Sequence, residues 1–308
     1  MKIVQIGAGG WGKNHARILS SLGVLVAVCD TDKERSKKYG EEYSVNHYTS
    51  LDDLLKSEEF DGVLIATPTS THAEIATRVL QAKKHVFIEK PMTYKSNDGE
   101  KLVKLANKNK VILTCGYIER FNPVVNIVKK FLIEKKYGEL ITLEFHRENR
   151  IPLHIKDVGI IYDTSVHDID TANWLFDDMP VVVFARAGQV NHEHEDFANI
   201  MLGYKNERTA IISSNWVTPK KIRTFRAVCT DAVITSDFIS QEIKIEKRED
   251  IKITGKEPLE SEIQNFLEAI EGKTEPVVKA EQAVNVTKIA EAALLSSQKG
   301  VPIYLDLK

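Results

Sequence analysis

A glycine-rich turn near the amino terminus constrains the fold of this chain most strongly. The apolar run Ile3 to Ile6 leads directly into Gly7-Ala8-Gly9-Gly10-Trp11-Gly12, a G-x-G-x-x-G pattern, and a helical stretch follows. In this context Gly7 permits a tight turn, Gly9 lets the backbone approach a pyrophosphate, and Gly12 lets helix and strand pack closely. The N–H groups that start the helix then face the phosphate charge. The pattern predicts a dinucleotide-binding turn, and we include Trp11 among its cofactor-binding residues.

An acidic residue follows the second apolar run of the chain. Asp30 stands 18 residues past Gly12, close to the spacing of a carboxylate that hydrogen-bonds the hydroxyls of an adenosine ribose. A carboxylate at this position repels a 2′-phosphate, so the sequence favours NAD over NADP. Lys33 and Arg35 lie nearby, and NADP therefore stays open as the less favoured cofactor.

The first third of the chain alternates short apolar runs with helical stretches. Continuous apolar runs of this length are typical of parallel strands that are buried on both faces. The predicted strands are Ile3 to Ile6, Val24 to Val28, Val63 to Ala66, Val86 to Ile88 and Val111 to Leu113, and the predicted helices are Asn14 to Ser21, Lys33 to Glu42, Thr71 to Ala82 and Ser96 to Asn109. This alternation predicts an α/β fold with a doubly wound parallel sheet of the Rossmann type.

The pattern changes after Pro123. A predicted helix (124–135), a strand (140–145) and a further helix (160–176) are followed by six short runs between 181 and 245 that are typical of an antiparallel sheet. Two last helices, 261–271 and 280–299, precede a short strand at 301–305. We therefore expect a cofactor domain over residues 1–121 and a second α/β domain, with a mostly antiparallel open sheet, over 122–308. The sequence leaves open whether the helix at 280–299 packs on the second domain or returns to the first.

Composition and charge exclude several classes of protein. The chain carries 42 basic and 44 acidic residues, a net charge of −2, and these charges interleave without forming a basic patch, so neither nucleic acid nor an anionic membrane is an expected partner. Its hydrophobic fraction of 43% is too high for a mainly disordered chain. No apolar span or leader-like segment stands out, and the three cysteines are widely separated. We expect a soluble protein of the reducing cytoplasm.

Two polar segments follow the predicted fourth and fifth strands. Ligands of such sheets bind outside the carboxyl ends of the strands, so side chains on these turns point toward the cofactor crevice. The first segment predicts Thr67, Pro68 and His72 as cofactor-binding residues. The second, Glu89-Lys90-Pro91, predicts Glu89 and Lys90 as cofactor-binding residues and Lys90 also as a proton donor or acceptor. The alternative for the second segment is a surface turn with a Glu–Lys pair.

The predicted helix at 160–176 carries Asp163, His167 and Asp170 at positions i, i+4 and i+7. These three residues share one face of a regular helix. A neutral imidazole that is oriented by a carboxylate accepts a proton at neutral pH. By itself, an Asp–His pair at this spacing is more often a contact on a helix surface.

Several cationic residues and one tract of possible metal ligands lie beyond the last predicted strand of the first domain. Arg120 and Asn122 follow the last strand of the first domain, and Arg147, Arg150 and Lys156 follow in the second, where an arginine fork or a lysine suits a diphosphate or carboxylate. We predict Arg120, Asn122 and Lys156 as substrate-binding residues, although single cations are usually solvated or paired. The tract His192-Glu193-His194-Glu195-Asp196 is rich in metal-ligand types, but it contains no apolar residue and fits a solvated connection better. No metal is predicted.

These motifs, in this order, resemble those of the Gfo/Idh/MocA oxidoreductases over essentially the whole chain. The resemblance rests on Gly7 to Gly12, Ala66 to His72, Glu89-Lys90-Pro91 and Asp163-x-x-x-His167. It implies a nicotinamide enzyme in which Lys90, Asp163 and His167 act together around the reacting hydroxyl. It also implies a C-terminal α/β domain whose open sheet often forms an oligomer interface, hence a homodimer or homotetramer.

Within that family, two segments most resemble the branch that oxidises UDP-N-acetylglucosamine at C3. They are Cys115 to Pro123 and Lys156 to Asp170, with Tyr117 and Lys156 standing where the branch has His and Arg. The expected function is therefore an NAD-dependent dehydrogenase of a nucleotide sugar. A free polyol or inositol dehydrogenase and a non-catalytic NAD-binding sensor stay open as alternatives.

Overall fold

The computed structural model describes residues 1–151, 155, 157–246, 248 and 250–307. The first part of the chain contains β1 (Ile3–Ile6), α1 (Gly12–Ser21), β2 (Leu25–Cys29), α2 (Lys33–Tyr43), β3 (Asn46–Tyr48), α3 (Leu51–Ser57), β4 (Gly62–Ile65), α4 (Thr69–Gln81), β5 (His85–Glu89), α5 (Ser96–Asn109) and β6 (Leu113–Gly116). The second part contains α6 (Pro123–Ile133), β7 (Leu140–Glu148), a π-helical segment (Ile161–Ser165), α7 (Val166–Phe176), β8 (Val182–Gly188), β9 (Phe197–Gly203), β10 (Thr209–Asn215), β11 (Ile222–Cys229), β12 (Val233–Asp237), β13 (Glu242–Ile245), β14 (Ile251–Lys252), α8 (Pro258–Ile270), α9 (Ala280–Lys299) and β15 (Ile303–Tyr304).

The chain forms two compact units. Unit 1 comprises Met1–Tyr117 and Leu259–Val284, and unit 2 comprises Ile118–Pro258 and Asn285–Lys308. The first division falls just before residue 121, where the sequence indicates a boundary. The segment that contains α8, which the sequence places in the second domain, instead belongs to unit 1, where the ring of Phe266 meets that of Phe87 on β5 edge-on at 5.8 Å. An amphipathic helix does not identify its packing partner from its own pattern, so only the structure could assign α8.

Unit 1 contains a six-stranded sheet in the order β3-β2-β1-β4-β5-β6, and every neighbouring pair is parallel. Strands β1 and β4 are buried along their whole length, as continuous apolar runs predict. The strand order reverses between β1 and β4, which is the switch point where dinucleotides bind in such sheets. The predicted doubly wound sheet is confirmed; β3 and α3 were missed because a three-residue, mostly exposed strand leaves little apolar pattern.

Unit 2 contains a nine-stranded sheet in the order β14-β13-β12-β11-β7-β10-β9-β8-β15. Only the central pair, β7 with β10, is parallel, so the predicted mostly antiparallel sheet is confirmed. On β7 the side chains of Leu143, Phe145 and Arg147 are buried, and those between them reach the opposite, open face.

The helix predicted over 160–176 begins with a π-helical segment before α7. The wider π turn displaces Asp163 from the strict i, i+4 register of an ideal helix, and such segments are frequent at functional sites. The expected apolar stripe of α7 is buried, at Val166, Ile169, Ala172 and Phe176. Among the described residues, none of the helices is both long and apolar enough to cross a membrane.

Candidate active site

The glycine turn of unit 1 has no room for side chains at two of its glycines. Gly7 has a φ of +81°, and a Cβ there would overlap the carbonyl oxygen of Ala66; a Cβ at Gly12 would overlap the carbonyl oxygen of Gly7. These overlaps explain why glycine occupies both positions, since the turn, β4 and the start of α1 touch through backbone atoms. Trp11 lies in the same turn with 46% of its surface exposed.

Asp30 is buried at the end of β2, beside this turn. Its Oδ2 accepts the N–H of Ala8 at 2.8 Å, and its Oδ1 accepts the N–H of Asp32 at 2.9 Å. The Arg35 guanidinium also contacts it, with Nη1 at 3.2 Å from Oδ2, while Nη2 reaches Asp32 at 3.0 Å. From the sequence, Arg35 is considered only as a cation that would suit the 2′-phosphate of NADP. In the structure it contacts Asp30, the predicted ribose-binding residue.

His72 connects the segments that follow β4 and β5. The imidazole is buried, with Nε2 2.9 Å from the carbonyl oxygen of Thr67 and Nδ1 3.0 Å from that of Pro91. Thr67 is further fixed by a hydroxyl contact of 2.7 Å with Thr71, and Pro68 lies immediately before α4. His72 therefore holds the two predicted cofactor loops together through their backbones.

Glu89 holds the backbone of Lys90 in unit 1. Its Oε2 accepts the Lys90 N–H at 3.1 Å, and its Oε1 lies 2.9 Å from Nε2 of His15, a fully buried residue of α1. Sequence reasoning missed His15. The available signal was its place on the core-facing side of α1, beside Ala16 and Leu19.

The residues of unit 1 fit a dinucleotide. The turn packs its glycines without space for a Cβ, and a buried carboxylate stands next to it with oxygens oriented by backbone N–H groups. The pyrophosphate would lie at the start of α1 and the adenosine ribose at Asp30.

Asp163 and His167 occupy consecutive turns of one helical rod in unit 2, Asp163 in the π-helical segment and His167 in the first turn of α7. The Thr164 hydroxyl donates to Asp163 Oδ2 at 3.1 Å, and the indole N–H of Trp216 donates to Thr164 at 3.2 Å. This chain of hydrogen bonds orients the Asp163 carboxylate. Lys90 belongs to unit 1, and its joint action with this pair stays a prediction.

The predicted substrate residues Arg120 and Asn122 make structural contacts in unit 2. Arg120 donates to both oxygens of the buried Asp170, at 2.8 and 2.6 Å, and burial raises the pKa of Asp170 against the lowering effect of this guanidinium. Asn122 caps α6 by accepting the Val124 N–H at 3.1 Å. Neither contact tests substrate binding, which stays a prediction. Lys156 lies outside the described residues.

The sequence considers Arg147 only as a cation for an anionic substrate, and its buried ion pair was missed. Arg147 of β7 donates through Nε and Nη2 to Asp168 of α7 at 3.1 and 2.7 Å, and through Nη1 to Glu119 at 3.0 Å. The two carboxylates raise the pKa of Arg147 against the lowering effect of burial, so we treat it as charged. An arginine in step with the core residues of β7 was the available signal.

The His–Glu tract at 192–196 organises a loop. The buried Asp196 accepts backbone N–H groups of Val190, Asn191 and His192, and Glu195 accepts the N–H of Ile161 at the start of the π-helical segment. Burial raises the pKa of Glu195. In the part of the chain that the structure describes, no three ligand-type side chains converge on a metal position.

The fold and these residues define a class of protein. A parallel sheet with a glycine turn and a strand-end carboxylate is followed in the same chain by an open mixed sheet that carries an Asp–His helix. This combination is that of a two-domain, dinucleotide-dependent oxidoreductase.

Comparison with known families supplies the more particular assignment. The family model described as an oxidoreductase family with an NAD-binding Rossmann fold matches residues 1–117, and the Gfo/Idh/MocA C-terminal domain matches residues 125–235. The chain belongs to the Gfo/Idh/MocA family of NAD(P)-dependent oxidoreductases, which act on CH–OH groups. Residues 1–117 are its NAD-binding domain, and the expected resemblance is confirmed.

Several relatives are similar over much of their length. UDP-N-acetylglucosamine 3-dehydrogenase of Acidithiobacillus ferrooxidans is 28% identical, with 88% of each chain covered, and its solved structure superposes with a TM-score of 0.89 at 27% identity over 97% of this chain and 98% of that one. Myo-inositol 2-dehydrogenase of Thermotoga maritima is 28% identical over 70% of this chain and 68% of that one. A Bordetella pertussis dehydrogenase solved with NADH and UDP-GlcNAcA has a TM-score of 0.88 over 100% of this chain and 99% of its own, but at 22% identity it shows the fold alone.

Proposed function

We propose that the chain is an NAD-dependent sugar dehydrogenase that oxidises a nucleotide sugar of the UDP-N-acetylglucosamine type at C3. The observation that carries this proposal is the extent of sequence similarity to UDP-N-acetylglucosamine 3-dehydrogenase, which spans 88% of this chain and therefore includes most of the substrate domain. The similarity to myo-inositol 2-dehydrogenase spans 70%.

The proposed cofactor site lies in unit 1. The turn from Gly7 to Gly12 would hold the pyrophosphate, and Asp30 would accept hydrogen bonds from the ribose hydroxyls. The loops joined by His72 would line the crevice near the switch point of the sheet. When NAD is bound, its nicotinamide ring accepts hydride at C4, which is the chemistry that the protein side chains cannot supply.

The chain's own residues would manage the proton. In the proposed reaction the substrate hydroxyl loses its proton to His167 or Lys90 while its carbon loses hydride. Asp163, oriented by Thr164, would hold the imidazole or the hydroxyl in place. Glu89 and His15 fix the backbone at Lys90, so that its side chain starts from a defined position.

The two alternative functions differ in their support. A free polyol or inositol dehydrogenase is favoured by the similarity to the inositol 2-dehydrogenases. A non-catalytic NAD-binding sensor predicts loss of the catalytic group, yet Lys90, Asp163 and His167 are all present.

Turnover with a matched substrate panel tests the proposal. Purified protein would be mixed with NAD and with UDP-N-acetylglucosamine, free N-acetylglucosamine or myo-inositol, and NADH absorbance followed. We expect kcat/KM for the UDP sugar to exceed that for the free sugar by about 100-fold or more, because the UDP moiety supplies binding energy. Turnover of myo-inositol alone would favour the polyol alternative, and failure with every sugar would favour the sensor.

Self-association and location complete the proposal. Met201 of β9 and Ile211 of β10 are directly paired on the open face of the nine-stranded sheet, and they are 48% and 44% exposed. Exposed apolar side chains on a flat sheet face support a homodimer or homotetramer formed through this face. The three described cysteines are buried and none is joined in a disulfide, which fits the reducing cytoplasm as the location.

A further inference from the structure

Arg223 lies in the row of unit 2 residues that supports the Asp–His helix. It is the direct partner of Arg147 across the antiparallel pair β11–β7, and directly opposed residues present their side chains on the same face of a sheet. Since Arg147 contacts Asp168 of α7, that face is the one that carries α7. Arg223 therefore lies on the sheet face that carries α7.

The guanidinium of Arg223 differs from its buried neighbours in lacking a carboxylate contact. Arg120 is paired with Asp170, and Arg147 is paired with Asp168 and Glu119. Within the described ranges, the Arg223 side chain has no hydrogen bond or ion pair, although the residue is half-buried. A guanidinium that makes no ion pair and keeps part of its surface exposed has donors that an anionic ligand could use.

The surrounding charges show the same imbalance. Burial and then the Arg147 charge lower the pKa of Arg223, against the opposing effects of Glu119, Asp168 and Asp163. The pKa of Lys221, two residues earlier and exposed, is lowered chiefly by Arg223. The positive charges of Arg223 and Lys221 therefore repel each other, and the Asp163 carboxylate is close enough to attract that of Arg223.

We propose that Arg223, assisted by Lys221, binds an oxyanion of the substrate, a phosphoryl or carboxylate group, beside the Asp163–His167 helix. This inference rests on the proposed function, in that the helix is taken as the place where the sugar reacts. A guanidinium fork matches the planar spacing of phosphoryl and carboxylate oxygens. The guanidinium of Arg223 suits this role better than that of Arg120, which already donates two hydrogen bonds to Asp170.

The first test compares two charge-removing changes on one strand. Arg223→Gln removes the proposed ligand, and Arg226→Gln removes an equal charge from the opposite, exposed face, where Arg226 contacts Glu144. With saturating NAD, we expect Arg223→Gln to raise the KM for an anionic sugar substrate about 10- to 100-fold with kcat within about 3-fold, and Arg226→Gln to leave both unchanged. An unchanged KM in Arg223→Gln would overturn the proposal.

A neutral substrate separates binding from structural damage. For free N-acetylglucosamine, which has no oxyanion, Arg223→Gln should leave kcat/KM within about 3-fold of that of the unchanged protein. An equal loss with neutral and anionic substrates would overturn the proposal in favour of a structural role. If Arg223→Gln does not fold, Arg223→Lys and the exposed Lys221→Gln replace it, and an unchanged KM for the anionic sugar in both would overturn the proposal.

A substrate panel distinguishes a phosphoryl from a carboxylate oxyanion, and it tests this inference separately from the proposed function. The panel contains UDP-N-acetylglucosamine, glucose 6-phosphate and glucuronate, and calorimetry measures UDP binding to the protein with NAD. Weakened UDP binding in Arg223→Gln identifies a phosphoryl group, and a rise in KM for glucuronate alone identifies a carboxylate. If glucose 6-phosphate is oxidised, its KM rises in Arg223→Gln and the UDP sugar is not oxidised, the proposed substrate is refuted and this inference is supported. If the UDP sugar is oxidised and its KM does not change in Arg223→Gln, the proposed function is supported and this inference is refuted.

Discussion

Arg120 and Asp170 form a buried two-point ion pair inside unit 2. The Arg120 Nε donates to Asp170 Oδ2 at 2.8 Å and its Nη2 to Oδ1 at 2.6 Å, and at most 2% of either residue is exposed. Removing one partner leaves an uncompensated buried charge, which typically costs about 3–5 kcal/mol. We expect Asp170→Ala to lower the free energy of unfolding by that amount in urea denaturation.

The matched control for this pair is the exposed contact between Arg226 and Glu144. Glu144→Ala should change the free energy of unfolding by less than about 1 kcal/mol, because surface ion pairs contribute little. A similarly small change for Asp170→Ala would contradict the structural role of Arg120 and strengthen its predicted role in substrate binding.

Loss of either proton-transfer candidate should affect turnover far more than cofactor binding. Lys90→Ala and His167→Ala are each expected to lower kcat by about 10²- to 10⁴-fold, the range of general acid–base catalysis. The Kd for NAD, measured by fluorescence titration, should stay within about 3-fold. Lys101→Ala, on the exposed side of α5, serves as the control. Near-normal turnover in Lys90→Ala would remove Lys90 from the catalytic group.

Asp30 should set the preference for NAD over NADP. Asp30→Asn keeps an oxygen for the Ala8 N–H but removes the charge that repels a 2′-phosphate, and it releases Arg35 to meet that phosphate. We expect the ratio of kcat/KM for NAD to that for NADP to fall by about 10- to 100-fold. Asp32→Asn, which removes the other partner of Arg35, should change this ratio much less. Equal effects of the two changes would show that Arg35, and not the Asp30 carboxylate, decides the preference.

The buried thiols predict a stability change at alkaline pH. Burial raises the pKa of Cys29 from 9.0 to about 12 and that of Cys229 to about 11. Because the folded pKa lies above the unfolded value, the stabilising contribution is present below about pH 9 and is lost as the pH rises toward 12. The Tm should therefore fall above pH 9, with a smaller fall in Cys29→Ala. At pH 8 the native thiols should resist iodoacetamide, and all three should react in guanidinium.

Charge on the open sheet face should weaken self-association. Met201→Lys combined with Ile211→Lys places two like charges on neighbouring strands of the proposed interface. We expect light scattering coupled to gel filtration to show a smaller species than the unchanged protein. Lys substitution at the exposed Ile133 of α6 is the control, since it lies outside the sheet. An unaltered mass in the double variant would exclude this face as the interface.

Local patterns explain which parts of the fold could be predicted. Buried parallel strands read as continuous apolar runs, and the glycine turn needs neighbours only a few residues away, so β1, α1 and Asp30 were each predicted at their places. The helix with Asp163 and His167 was predicted from its period, but its π-helical start was not. Its first turn is held by Glu195, more than thirty residues further along the chain.

The sequence by itself determined the fold class and the glycine turn, because these depend on spacing within one strand–turn–helix unit, and the order of its motifs carried the resemblance to the family. Only the tertiary structure decided which cations form buried ion pairs. Arg120 and Asp170 are 50 residues apart along the chain, and Arg147 and Asp168 are 21 apart. No local sequence pattern predicts such pairs. Since a buried charge must be compensated by whatever the fold brings beside it, only these tertiary pairings distinguish Arg223 from its neighbours Arg120 and Arg147.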